Sequence, residues 1–299
     1  MTSRRRTRSF LPIAAVAMAL LALPAYAAEV PAQLPDPNGR PLKVYILAGQ
    51  SNMQGRARFS TIPHMGMDPK TAPMLKKMVN EDGTSRLLDK VWIAALGVGK
   101  YKKQKTGKLT AGFGYDGGGG TKIGPEFTFG IYMQKYVKEP ILIIKTTWGG
   151  KSLNTDFRPP SAGPYEFGAG AKDITNPDEL LKRRREAAGQ YYQKMIDYVK
   201  QVLANIKGDY PDYDPDQGHE VAGFMWFQGV HDFGDLATYP NAGKPASYDE
   251  YSRLLACLIR DVRKDLNAPK MPFVIGTLGR HGDCKHLNDL APRQNLWVK

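Results

Sequence analysis

The sequence predicts an α/β domain in which helices cover both faces of a mainly parallel sheet. Five short apolar runs, long amphipathic stretches between them, and loop chemistry where the runs end all lead to that class. Residues 44–48, 91–93, 141–144, 221–227 and 273–276 read as strands. Most are apolar without alternation, as a strand is when both its faces are buried.

Before the first strand, residues 1–27 have the form of an export signal. Arg4, Arg5, Arg6 and Arg8 make a basic head, residues 11–23 an apolar run, and Ala25-Tyr26-Ala27 a small-x-small cleavage site. The run is short of the roughly 20 residues a spanning helix needs, so cleavage and export to the periplasm or beyond are expected, with no stable membrane insertion. The arginines before Ser9-Phe10-Leu11 loosely resemble a twin-arginine signal. Residues 28–299 then read as a single domain.

The helices fall between the strands. Tyr192, Met195, Ile196, Val199, Val202, Leu203 and Ile206 recur at three- and four-residue spacing. Tyr251, Leu254, Leu255, Leu258, Ile259, Val262 and Leu266 do the same. Each is one apolar stripe on a polar helix. Pro125-Glu126 opens a third helix to about Val137, with proline at a tolerated first position and an acid suited to the helix dipole. Alternation of this kind gives crossovers and a largely parallel sheet. Residues 97–122, rich in Gly and Lys, and 154–178, rich in Pro and Gly, read as long loops.

Charge and cysteine narrow the function classes. The four leader arginines account for part of the formal +13, leaving +9. The basic stretches 100–108 and 182–185 lack interleaved aromatics, so solvated faces and a loop are expected rather than a nucleic-acid platform. Cys257 and Cys284 fit either one disulfide or a buried thiol at Cys257. No metal site or cofactor motif is present in the sequence, and oligomeric state has no signature in it.

Ligands of an open parallel sheet bind beyond the carboxyl ends of its strands. The first strand is followed by Gly49-Gln50-Ser51-Asn52-Met53, and the 141–144 strand by Trp148-Gly149-Gly150-Lys151-Ser152. After the 221–227 strand comes Gln228-Gly229-Val230-His231-Asp232, and after the last strand Asp283-Cys284-Lys285-His286. One edge thus receives a hydroxyl, a glycine pair, an amide and histidines, the parts of a serine acyl-transfer site.

Gly49-Gln50-Ser51-Asn52-Met53 resembles the first block of the SGNH esterases, in the branch of sialate O-acetylesterases and acetylxylan esterases. Trp148-Gly149-Gly150-Lys151-Ser152-Leu153 and Trp226-Phe227-Gln228-Gly229 with Asp232 are similar to the second and third blocks. The likeness spans roughly residues 42–277. It implies the SGNH hydrolase fold, a flavodoxin-like three-layer sandwich without a nucleophile elbow, and acetylated carbohydrate as substrate. By the same resemblance Ser51 attacks the ester carbonyl. Its own N–H, an N–H at Gly149 or Gly150, and the Gln228 side chain face the oxyanion. Asn52 and Glu126 fall in similar segments and are expected to make structural hydrogen bonds, Asn52 beside the substrate.

Two departures stand out. Val230 occupies a position where the family often has an acid. Asp283-x-x-His286 has the spacing of the family's base, His286, and its orienter, Asp283, yet it follows the last strand without an intervening helix and strand. The competing expectation is a domain incomplete at its C-terminus, from a shortened or frameshifted gene; His231 is a weaker substitute base. An impaired carbohydrate-binding relative is the alternative to an active esterase, and a partner-binding exported protein using residues 100–108 is a third class.

Overall fold

The structure is a computed structural model and describes residues 39–97, 104–241 and 248–277. The expected leader, Asp283, Cys284 and His286 lie outside the described residues.

The chain opens with β1 (Leu42–Gly49), the single-turn α1 (Ser51–Gln54), the short β2 (Ala57–Arg58) and a 3-10 stretch at Phe59–Met67. There follow α2 (Ala72–Met78), β3 (Leu88–Leu96), β4 (Lys105–Leu109), the short β5 (Lys122–Ile123), α3 (Pro125–Tyr136) and β6 (Ile141–Thr147). The second half carries α4 (Pro177–Ala187), α5 (Gln190–Ala204), α6 (Ile206–Asp209), β7 (His219–Phe227), α7 (Val230–Phe233), α8 (Asp249–Asp265) and β8 (Phe273–Ile275).

The main sheet runs β4-β3-β6-β1-β7-β8. All its pairings are parallel except that of β4 with β3. A flavodoxin-type order would set the first strand beside the second. Here β6 takes that place, between β3 and β1, so the layers are as expected while the order of the inner strands differs.

Successive residues of the central strands feed two cores. Val44, Ile46, Ala48, Leu142 and Ile144 pack with Tyr192, Met195, Val199, Leu254 and Leu258 of α5 and α8. Leu47, Ile141 and Ile143 pack with Met53, Met78 and Phe127 on the other face. A strand buried on both faces has no polar side to show, which is why these runs do not alternate. The predicted helices hold at Pro125–Tyr136, Gln190–Ala204 and Asp249–Asp265.

Two expectations need correction. Residues 97–122 are not simply a loop, because Lys105–Leu109 forms an antiparallel edge strand. Its Lys-Thr-Gly-Lys-Leu sequence buries only Leu109, and lysines on an edge strand discourage pairing with another chain. The basic stretch 182–185 is also not merely solvated. It ends α4, where Pro177 at the start, Asp178 and Glu179 in the first turn and Arg184 and Arg185 in the last suit the helix dipole. Arg184 forms a bidentate pair with Asp235, Nη1 to Oδ2 at 2.6 Å and Nη2 to Oδ1 at 2.9 Å.

Candidate active site

Three motif loops leave the sheet at one level, because Gly49 lies in register with Thr147 of β6 on one side and with Phe227 of β7 on the other. The backbone is drawn together there. Trp148 N–H donates to Gly49 O at 3.2 Å, and Gln50 N–H donates to Phe227 O at 3.2 Å. Gly49 has φ of 152°, and a Cβ on it would stand 2.2 Å from Phe227 O. No other residue fits that point without moving backbone.

Ser51 begins α1 immediately beyond this junction. Ser51, Asn52, Gly149 and Gly150 line one cleft of about 970 Å³, together with Gln54, Arg56, Tyr115, Lys151 and Tyr191. The backbone N–H groups of Ser51, Gly149 and Gly150 have no acceptor among the described residues. Free N–H groups beside a hydroxyl are what a developing oxyanion requires. Asn52 is exposed on the cleft wall, whereas Glu126 is wholly buried.

Gln50, to which the sequence assigned no role, knots two of the loops. Its Oε1 accepts from Gly229 N–H, His231 N–H and Gln228 Nε2, each at 3.2 Å, while its own Nε2 lies 3.4 Å from Ser51 Oγ. A buried amide flanked by donors and acceptors gains meaning only once the loops meet, so single-sequence pattern carries no signal for it.

Gln228 lies behind the cleft rather than on its wall. Its Nε2 is engaged with Asp232 Oδ2 at 2.6 Å and Lys151 O at 3.0 Å, and its Oε1 accepts from Tyr251 Oη at 3.0 Å. Facing an oxyanion would require it to exchange one of these partners. Asp232 is fully buried and also accepts from Leu153 N–H at 2.7 Å, Asn154 N–H at 2.9 Å and Tyr239 Oη at 2.9 Å. Burial raises its carboxyl pKa, against the pull of those donors. Asp232 thereby ties the Gly149-Gly150 loop to the end of β7.

A buried ion pair supports the turn that begins at Ser51 from below. Lys145 Nζ donates to Glu126 Oε2 at 2.6 Å, Gln54 O at 2.9 Å and Phe113 O at 2.9 Å, so all three of its protons are used. Glu126 Oε1 accepts from Gly124 N–H at 2.8 Å. Glu126 thus takes the structural part expected of it. Lys151 pairs with Asp156 at 2.9 Å, and Trp148 packs on Phe157 and Tyr191 as a core aromatic.

His231, the substitute base, lines a neighbouring pocket with Asn154, Asp156, Arg183 and Arg184 rather than the Ser51 cleft. Asp283 and His286 lie outside the described residues. Cys257 is buried in α8. Among the described residues no group of His, Cys, Asp and Glu is placed to hold a metal ion, and no helix is long and apolar enough to cross a membrane.

The family model described as carbohydrate esterase, sialic acid-specific acetylesterase, matches residues 41–297. A protein from Arabidopsis thaliana of known X-ray structure is similar over 87% of this chain and 82% of its own, at 15% identity and a TM-score of 0.44. A carbohydrate acetylesterase from Xanthomonas citri is similar over 78% of this chain and 40% of its own, at 16% identity and a TM-score of 0.40. Comparison with curated protein sequences gave no match.

Proposed function

Since the chain belongs to the carbohydrate esterase family of sialic acid-specific acetylesterases and is a carboxylic ester hydrolase, we propose that it removes O-acetyl groups from carbohydrate through an acetyl-enzyme on Ser51. The observation that carries this reading is the cleft in which the Ser51 hydroxyl shares a wall with Gly149 and Gly150, all three with backbone N–H groups to spare.

In this reading Ser51 Oγ attacks the acetyl carbonyl, and the carbonyl oxygen takes the negative charge. The N–H groups of Ser51 and of Gly149 or Gly150 receive that charge. The tetrahedral intermediate collapses, the C–O bond to the sugar breaks, and the sugar leaves as an alcohol that takes up a proton. Water then attacks the acetyl-Ser51 ester and releases acetate. His286 is the proposed base, oriented by Asp283. Asn52 is a wall residue that meets substrate, and Gln228 acts through the loop it holds. Residues 1–27 are proposed to direct export and to be removed, leaving one domain of this family.

The test compares hydrolysis of an aryl acetate by the protein and by Ser51→Ala. Ser51-dependent turnover that fails in His286→Ala supports the full assignment. Equal rates for the parent and Ser51→Ala would end it.

A further inference from the structure

A second cavity, of about 560 Å³, lies beside the Ser51 cleft. Two contacts set it there. Lys151 lines the Ser51 cleft, and its ammonium is 2.9 Å from Oδ1 of Asp156, which lines the second cavity. His231 lines the second cavity too, and its N–H donates to Gln50 Oε1 at 3.2 Å. The other end of that amide, Nε2, is 3.4 Å from Ser51 Oγ. An ion pair on one side and one amide on the other thus stand between the two spaces.

The wall of this cavity is made largely of groups that already have partners. Asp156 is paired with Lys151, and Asp235 with Arg184. Asn154, only 1% exposed, donates from Nδ2 to Asp235 Oδ2 at 2.9 Å, and its backbone N–H is held by Asp232. Both acids of the lining therefore carry a counter-ion, and the wall is fixed before any ligand arrives. Two groups stand apart. The Arg183 guanidinium and the His231 imidazole are exposed, and neither forms a side-chain hydrogen bond among the described residues. Val230, 51% exposed, adds an apolar surface to the same lining. An occupant that suits all three offers oxygen acceptors to Arg183 and His231 and carbon to Val230. A sugar ring does both, with a rim of hydroxyls around an apolar C–H face. A bare carboxylate would answer Arg183 and leave Val230 in water.

We infer that this cavity holds the sugar unit next to the acetylated one, so that the preferred substrate is an acetylated glycan of two or more units rather than a free monosaccharide. The inference rests on Ser51 being the nucleophile and adds the length of chain that is recognised. A unit linked to the residue held at Ser51 reaches the cavity at the effective concentration its glycosidic bond imposes, so modest contacts suffice.

The experiment uses two pairs of substrates, O-acetylated xylose against O-acetylated xylobiose, and O-acetylated N-acetylneuraminic acid against O-acetylated sialyllactose. In at least one pair the parent protein favours the longer member by about fivefold in kcat/KM, expressed in KM, the scale of one net hydrogen bond. That ratio falls towards one in Arg183→Ala, which removes the donor, and in Val230→Trp, which fills the cavity. Both side chains are exposed, so the fold tolerates their replacement. A parent ratio near one in both pairs, or a ratio untouched by the variants, overturns the subsite and leaves the esterase reading intact. Hydrolysis of none of the four esters, or unchanged rates in Ser51→Ala, overturns both.

Discussion

The Cα of Gly49 faces the carbonyl oxygen of Phe227 so closely that a Cβ would approach that oxygen to 2.2 Å. The contact joins the strand that delivers Ser51 to the strand that delivers Gln228, and it leaves backbone as the only thing that can yield. Gly49→Ala should therefore cost about 3 kcal/mol, the upper end of overpacking penalties, together with most of the turnover. Urea unfolding measures the first part; a loss under about 1 kcal/mol would mean the junction is slacker than the geometry implies.

Gln228→Ala separates a donor that touches the reacting oxygen from one that holds the loop. Its amide is spent on Asp232 and Lys151 O, and its carbonyl on Tyr251. Truncation should lower stability by about 1–3 kcal/mol, because Asp232 and Tyr251 lose a buried partner, and activity should fall with it. A fall of about 10²–10³ in kcat with an unmoved melting temperature would instead mark a direct oxyanion donor.

Much of this was readable from sequence, and for a definite reason. The central strands are buried on both faces, so Ile141, Leu142, Ile143 and Ile144 had to be apolar whichever core they entered. The edge strand Lys105–Leu109 faces water and pairs on one side, so composition alone does not separate it from a loop. Ser51, Gly149 and Gly150 share a cleft because strand ends are set by the sheet. The parts of Gln50 and Gln54 in tying the loops together were not legible, since each depends on a carbonyl or amide brought in from another strand end.

Gln50→Leu should loosen the site and strip Ser51 Oγ of the amide group 3.4 Å away. Three donors, from Gly229, His231 and Gln228, converge on its Oε1. Depriving the Gly229 and His231 N–H groups of this acceptor should cost about 1–3 kcal/mol and reduce turnover of every ester alike. A selective effect on esters with free hydroxyls would place Gln50 in substrate recognition instead.

Asp235 gives the fold a dependence on acid. Burial pushes its carboxyl pKa up, but the Arg184 guanidinium, the Thr238 hydroxyl and the Asn154 amide outweigh burial and hold it below the usual value. At neutral pH the group is ionised in both folded and unfolded chains, and the pair contributes in full. As pH falls below about 3.9, the unfolded chain takes up the proton first and the contribution drains away until the folded carboxyl titrates too. Asp235→Asn should therefore be less stable than the parent by about 2 kcal/mol near neutrality, with the gap narrowing in that acid window. A gap independent of pH would show that the carboxylate's charge is not what stabilises.

The sharpest energetic test lies under the turn that begins at Ser51. Lys145 and Glu126 are both fully buried, and desolvation lowers the ammonium's pKa against the attraction of Glu126. Such a pair contributes little net stability against an apolar replacement, yet breaking it strands one charge in the core. Lys145→Met should accordingly cost about 3–5 kcal/mol, because Glu126 keeps its place without its counter-ion and Gln54 O loses a donor. Lys145→Met combined with Glu126→Gln should be more stable than Lys145→Met alone, a coupling that denaturant titration of the four proteins measures directly. Simple addition of the two losses would mean the charges do not sense each other. Because Lys145 also holds the last carbonyl of the turn that begins at Ser51, the double variant should regain stability while keeping a depressed kcat, which separates supporting the turn from stabilising the fold.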